Sequence, residues 1–312
     1  MDRRVLVALW QMSRPAQLAL IALVYAAGVA MAYARGAATT PTRIAFGLVA
    51  LLLVAASVHY ANEYADIETD AITERTPFSG GSGALVDTGL PRRIALYATV
   101  GAGLAGLVLM AVGVSSVGDT LARDLTGPLL APTPFVLLVG VFVVGWQYSL
   151  PPLRLAWNGL GEVTNATLGG LVLPLYGFAV VTDELTTAAA VAFVPFTLVV
   201  FVNLLETTWP DREADTAVGK QTLATRLSAS RLRILYAAGS VAAVGSTVLL
   251  AGRVLPPIVA VATVVPLVGL VPGYVRFTRQ EAPLPAVVTM VVLAATTTLG
   301  WILVSRSRVT VV

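Results

Sequence analysis

The chain has no cysteine and one histidine, His59. Disulfides, thiolate nucleophiles and thiolate-ligated metals are therefore excluded, as is any metal site built on two or three imidazoles. A metal held by this chain must take oxygen ligands, which favours hard cations such as Mg²⁺. Charge is scarce too: 12% of the 312 residues are charged, against roughly 25% in soluble domains. Lys220 is the only lysine among 20 basic residues, and no basic tract suggests a nucleic acid partner. What remains is apolar, with 57% hydrophobic residues and a mean hydropathy of +0.83. That leaves too little polar surface to cover a globule in water.

A helix crossing hydrocarbon needs about 20 mostly apolar residues. Nine such runs are expected, over about 15–34, 43–64, 93–116, 132–150, 160–181, 187–206, 231–251, 255–275 and 284–304. They predict an all-α polytopic membrane bundle, a single domain over 1–312. The run after Pro15 reads as a first span rather than a signal peptide. Gly101, Ala105 and Gly106 are small enough for helices to approach closely there. With the N-terminus inside, 14 of the 20 basic residues fall on inside segments. The positive-inside rule then predicts an integral protein of the cell membrane with a cytoplasmic N-terminus.

Two inside connections, Asn62 to Arg92 and Glu206 to Arg231, hold 10 of the 17 acids. Charge topology does not predict that clustering. The first reads Asn62-Glu-Tyr-Ala-Asp66-Ile-Glu-Thr-Asp70 and continues the second apolar run, so it is expected at the cytoplasmic end of a helix. Residues four apart share a helical face, about 6 Å apart, which makes Asn62, Asp66 and Asp70 one oxygen-rich stripe. The second cluster, Asp211-Arg-Glu-Ala-Asp215, repeats the spacing and leads into Gly219-Lys220. Asp66 to Asp211 and Asp70 to Asp215 are both 145 residues apart, a weak pseudo-repeat of two halves, roughly 1–150 and 151–312. Like charges one turn apart destabilise a helix unless something neutralises them, and a divalent cation does so. Mg²⁺ held by a few carboxylates commonly completes its shell with substrate phosphate, and a diphosphate so bound is a better leaving group. Lys220, Arg75, Arg212 and Arg154 are nearby cations for it. The carbocation left by an allylic diphosphate needs a dry, apolar chamber, which a membrane bundle supplies.

These motifs resemble those of the UbiA superfamily of intramembrane prenyltransferases, over most of the chain. Ser13-Arg14-Pro15 is similar to the family's Arg-Pro before the first span. Tyr148-Ser149-Leu-Pro151-Pro152 resembles its turn after the fourth, and Gly159-Leu-Gly-Glu162 its next motif. The resemblance implies a Mg²⁺-dependent transfer of a polyprenyl group from a polyprenyl diphosphate to a lipophilic acceptor. It implies metal binding by Asn62, Asp66, Asp70, Asp211 and Asp215, the four aspartates being the catalytic set. It also implies diphosphate contacts from Arg14, Arg75, Lys220, Tyr148 and Ser149. Where the family often has Asn this chain has Thr207, for which Glu206 or Asn203 can substitute. Asn158 stands where the family often has a base, and Arg154 can supply that charge at the diphosphate. Phe78-Ser-Gly-Gly-Ser82 looks most like the branch that prenylates 1,4-dihydroxy-2-naphthoate on the way to menaquinone. Physically such a loop suits capping an anion or closing over a site, and it equally suits a plain connector.

Other residues read less specifically. His59 is either hydrogen-bonded to a neighbour or a proton acceptor after ring alkylation. Glu162 is a possible partner of Arg154. Trp10, Trp146, Trp157, Trp209 and Trp301 fit an aromatic belt, and Tyr64 and Tyr148 either pack or face a carbocation. Two alternatives stand beside the main reading: the same fold acting on a carotenoid such as lycopene, geranylgeranylglyceryl phosphate or hydroxybenzoate, and a transporter. A transporter site belongs near the bilayer midplane, and these acids lie at helix ends.

Overall fold

The computed structural model describes residues 2–73, 80–115, 130–281 and 283–309. A short helix α1 (Arg3–Met12) precedes α2 (Pro15–Ala34) and α3 (Pro41–Ala65). Next come α4 (Ile67–Asp70), α5 (Ala84–Thr88), α6 (Arg93–Val114) and α7 (Pro132–Ser149). The second half holds α8 (Gly161–Thr182), α9 (Thr187–Ala192), α10 (Val194–Thr208), α11 (Arg212–Ala217) and α12 (Leu223–Arg226). It closes with α13 (Ala229–Leu250), α14 (Pro257–Arg276) and α15 (Leu284–Val309).

Eight of the described helices are long and apolar enough to cross a membrane. Four of them begin on a proline, Pro15, Pro41, Pro132 and Pro257, where the missing N–H is one the first turn leaves unpaired anyway. Thr40 caps α3 by accepting from Arg43 N at 3.3 Å. The run expected at 187–206 is not one continuous helix: it divides at Phe193 into α9 and the 15-residue α10. Pro195, two residues on, cannot donate to the preceding turn, so the chain restarts there. Pro174 has the same effect within α8, where Leu168–Val172 widens into a π-helical turn.

The outward surface is apolar: Val241 on α13 and Val268 on α14 are each 72% exposed. Such faces fit hydrocarbon and not water. Inside, α2 packs along α8 and α15, and α3 along α6. Two core tyrosines are matched to backbone: Tyr25 Oη donates to Ile44 O and Tyr176 Oη to Gly47 O, both at 2.8 Å. Gly106 lies against Val54 and Ala50 as expected, whereas Gly101 faces outward with nothing near it. Trp301 is buried at 2% exposure, so it belongs to the core and not to an interfacial belt.

The helices α2 and α8 cross closely. A Cβ on Gly28 would fall on the carbonyl oxygen of Pro174, and one on Gly177 on that of Tyr25. Both obstacles are backbone, which no rotamer change relieves. Gly28→Ala is therefore expected to destabilise by about 1–3 kcal/mol. Gly140→Ala, where nothing lies within 4 Å, is the matched control. Equal unfolding transitions of the two variants in detergent would contradict this packing.

Candidate active site

The two acidic segments meet at one end of the bundle, where α11 packs against α4. The α3 helix does not run through the first motif as expected: it ends at Ala65, and Asp66 adopts φ −100°, ψ 11° before α4 begins. The motif spacing survives because the hydrogen bonds do. Asp66 N donates to Asn62 O at 2.9 Å, and Asp70 N to Asp66 O at 2.8 Å. Asp215 N likewise bonds Asp211 O at 2.8 Å, across the first turn of α11. Lys220 N then bonds Asp215 O at 2.8 Å and folds the chain back toward the cluster.

The side chains converge on Lys220. Its ammonium lies 3.0 Å from Asp66 Oδ2 and 3.4 Å from Asp215 Oδ1, bridging the two motifs across the bundle. Burial alone would lower the lysine's proton affinity, but the two carboxylates together raise it, so the group is held charged. Trp157 Nε1 donates to the other Asp66 oxygen at 3.1 Å. The tryptophan is held in place by Gln221 N bonding its carbonyl at 3.1 Å, which joins the loop after α7 to the loop after α11. Arg154 stacks on the same indole, 3.9 Å from its centroid.

Arg14 is in the left-handed region, φ 53°, and its guanidinium gives two hydrogen bonds to Glu63 Oε1 at 3.1 and 2.6 Å. The Asn62 amide lies between these groups. With its nitrogen toward Ser149 Oγ (3.1 Å) and Asp66 Oδ2 (3.0 Å), and its oxygen toward Arg14 Nη2 (3.1 Å), every contact is a satisfied hydrogen bond. Ser82 caps Glu63 from the other side, its N donating to Oε1 at 3.0 Å and its Oγ to Oε2 at 2.6 Å. Gly81, at φ 68°, presses its backbone against the Asp70 carboxylate, where any Cβ would collide with Oδ2. The anion that this glycine-serine turn caps is thus one of the protein's own. Phe78, Ser79 and Arg75 lie outside the described residues.

Among the described residues the acids outnumber the cations here. Glu63, Asp66, Asp70 and Asp215 are all buried, and the cations in contact with them among the described residues are Arg14 and Lys220. Asp70 shows the strain: burial, with the charges of Glu63 and Asp66 added, pushes its carboxyl up to about 7. Burial raises Asp215 as well, against the pull of Lys220. One divalent cation would cancel the excess. Among the described residues no three His, Asp or Glu side chains already converge as a ready-made metal site, and Lys220 stands between Asp66 and Asp215. The donors are nonetheless the oxygen set that a hard cation takes.

Several expectations need correction, whereas His59 takes the hydrogen-bonded of its two readings. Glu206 does not turn toward this cluster: Tyr236 Oη donates to it at 3.5 Å, and its carboxylate lies beside Gly273. Thr207 Oγ1 spends its hydrogen on Leu204 O. Glu162 pairs with the Leu223 amide at 2.8 Å rather than with Arg154. The cation beside Gly159 is Arg226, whose Nη1 donates to Asn158 O at 3.3 Å. Arg212 stacks on Trp209 at 4.2 Å and pairs with Glu213 and Glu281. The Tyr64 ring is covered by the Arg92 guanidinium at 5.2 Å, whereas Tyr148 lies within electrostatic reach of Lys220. His59 Nδ1 is 2.8 Å from Ser13 O and so carries the proton. Glu63 and Trp157 were not singled out from sequence. Glu63 is off the four-residue stripe, and Trp157 reads like any tryptophan near a span end.

Fold and site together define a helical membrane protein with paired acidic motifs at one end of its bundle. The UbiA prenyltransferase family model matches residues 21–293, and the chain belongs to that family: it is a prenyltransferase. A UbiA homolog from Archaeoglobus fulgidus, bound to GPP and Mg²⁺, has a similar structure, with TM-score 0.69 and 15% identity, covering 96% of this chain and 99% of that one. A digeranylgeranylglyceryl phosphate synthase superposes with TM-score 0.64 at 13% identity, covering 97% and 99%. An apo UbiA homolog from Aeropyrum pernix K1 gives 0.66 at 14%, covering 91% and 97%. No curated protein matches the chain by sequence.

Proposed function

We propose that this prenyltransferase moves a polyprenyl group from an allylic polyprenyl diphosphate to an aromatic acceptor, 1,4-dihydroxy-2-naphthoate, in menaquinone biosynthesis. Its cofactor is Mg²⁺, and its N-terminus and active site face the cytoplasm. The observation that carries the reading is the meeting of Asp66 and Asp215, from opposite halves of the chain, around one buried cation. Magnesium ligands would come from Asn62, Asp66, Asp70, Asp211 and Asp215. Bound there, Mg²⁺ would take up the negative charge that develops on the leaving diphosphate. The Mg²⁺ and GPP bound to the Archaeoglobus homolog support this assignment.

The chain's own residues then do three things. Lys220 and Arg14 supply fixed positive charge to the diphosphate oxygens as the C1–O bond breaks and the electron pair leaves with diphosphate. Ser149, hydrogen-bonded to Asn62, and Tyr148, within electrostatic reach of Lys220, would orient the substrate. The apolar interior of the bundle keeps water from the allylic cation until an electron-rich ring carbon attacks it; as the new C–C bond forms, that carbon gives up the substituent it carried, a proton or its carboxylate as CO₂, and the ring regains aromaticity.

The acceptor rests on the Phe78-Ser-Gly-Gly-Ser82 loop. A second reading, geranylgeranylglyceryl phosphate as acceptor, draws support from the synthase among the structural neighbours. The test gives the purified protein in lipid geranylgeranyl diphosphate and Mg²⁺, with dihydroxynaphthoate, hydroxybenzoate, geranylgeranylglyceryl phosphate or lycopene in separate reactions. A prenylated product from dihydroxynaphthoate alone is expected. Product with another acceptor and none with dihydroxynaphthoate would overturn the assignment.

A further inference from the structure

We infer that Glu63 is a positioning residue that sets the affinity for the diphosphate by fixing two groups at once. The inference rests on the diphosphate reading above. Glu63 is 2% exposed, and it uses both carboxylate oxygens. Oε1 receives Arg14 Nε and Nη2 together with Ser82 N, and Oε2 receives Ser82 Oγ. Arg14 and Ser82 belong to separate connections, one leading into α2 and one following α4. The segments around them also touch: Ala8 and Met12 of α1 pack with Ala84 and Leu85 of α5. Among the described residues, Glu63 is the one side chain hydrogen-bonded to both Arg14 and Ser82.

Two consequences follow for binding. Arg14 holds an unfavourable backbone conformation, φ 53°, and a long, flexible side chain. Anchoring through Nε and Nη2 fixes its guanidinium beside Asn62 and within reach of Asp66 and Asp70. Ser82 follows Gly81, whose backbone lies on Asp70, so fixing Ser82 fixes that contact too. Without Glu63 each binding event would have to order both segments, a cost that weakens affinity without altering the bond-breaking step. A loss of uniform binding of this kind raises KM and leaves kcat. Partial misfolding does the reverse: it lowers the apparent kcat and leaves KM.

Glu63→Gln is expected to raise the KM for geranylgeranyl diphosphate about tenfold, with kcat within about threefold. Binding of inorganic pyrophosphate in the presence of Mg²⁺, measured by calorimetry, should weaken by the same factor. Ser82→Ala should raise KM about threefold in the native background and have no further effect in Glu63→Gln. The inference is overturned if either variant lowers kcat with KM and pyrophosphate affinity unchanged, or if the two substitutions act additively. If Glu63→Gln does not fold, Ser82→Ala alone decides, since an unchanged pyrophosphate affinity in that variant overturns the inference. A native protein that binds pyrophosphate and turns over, with both variants unaltered, overturns this inference alone. A native protein that does neither overturns the functional reading and this inference with it.

Discussion

Asp66→Asn and Asp215→Asn should each lower prenyl transfer by about 10²–10³-fold while the protein still folds. In the proposed mechanism each carboxylate contributes charge to a site where charge is the catalytic means, and losing one preorganised electrostatic contact of that kind costs about this much. The folds should persist for local reasons. In Asp66→Asn an amide oxygen still accepts from Trp157 Nε1, 3.1 Å away in the native chain, and Lys220 keeps Asp215. In Asp215→Asn, Lys220 keeps its shorter contact to Asp66, at 3.0 Å. Steady-state transfer with matched thermal unfolding curves would decide. Full activity in both variants would remove the aspartates from the mechanism, whatever their position.

Lys220→Met carries the second large effect, and it shows before any turnover. The native ammonium is 13% exposed and stands between side chains exposed at 7% and 3%, Asp66 and Asp215. Removing it leaves two buried carboxylates without their shared counter-charge, and breaking a buried pair typically costs about 3–5 kcal/mol. The variant should therefore melt well below the native protein in divalent-free buffer. Mg²⁺ should then stabilise it more than it stabilises the native protein, because the cation that competes for the same carboxylates is gone. Transfer should fall as well, since the diphosphate loses a fixed cation. An unchanged melting curve, or an equal Mg²⁺ response in the two proteins, would mean that Lys220 does not hold these motifs together.

Much of this was legible in the sequence, and what was not has identifiable causes. Apolar runs of about 20 residues forecast the spans because lipid leaves the backbone no other solution. The division at Phe193 is marked in the sequence only by Pro195, and proline alone does not break a membrane helix that packs on neighbours. The four-residue spacing forecast that Asn62, Asp66 and Asp70 would stay together, and they do so although the helix ends between them. Periodicity within one helix says nothing about partners 150 residues away, so Lys220 bridging Asp66 and Asp215 could be suspected only as a nearby cation. The same limit hid Glu63, whose importance lies in Arg14 and Ser82, and Trp157, which is placed by pairing between two loops. Glu206, one of two candidates to stand in at Thr207, meets a related limit. Its position next to Thr207 suggested the acidic cluster, but a single step along a helix turns a side chain by about 100°, here toward Tyr236.

The most direct measurement is binding of inorganic pyrophosphate to the purified, lipid-embedded protein, by calorimetry, with and without Mg²⁺. The account predicts tight binding that requires the divalent ion and is lost in Asp66→Asn. Equal binding without Mg²⁺, or no binding by a correctly folded protein in its presence, would contradict a diphosphate site built from the two acidic motifs.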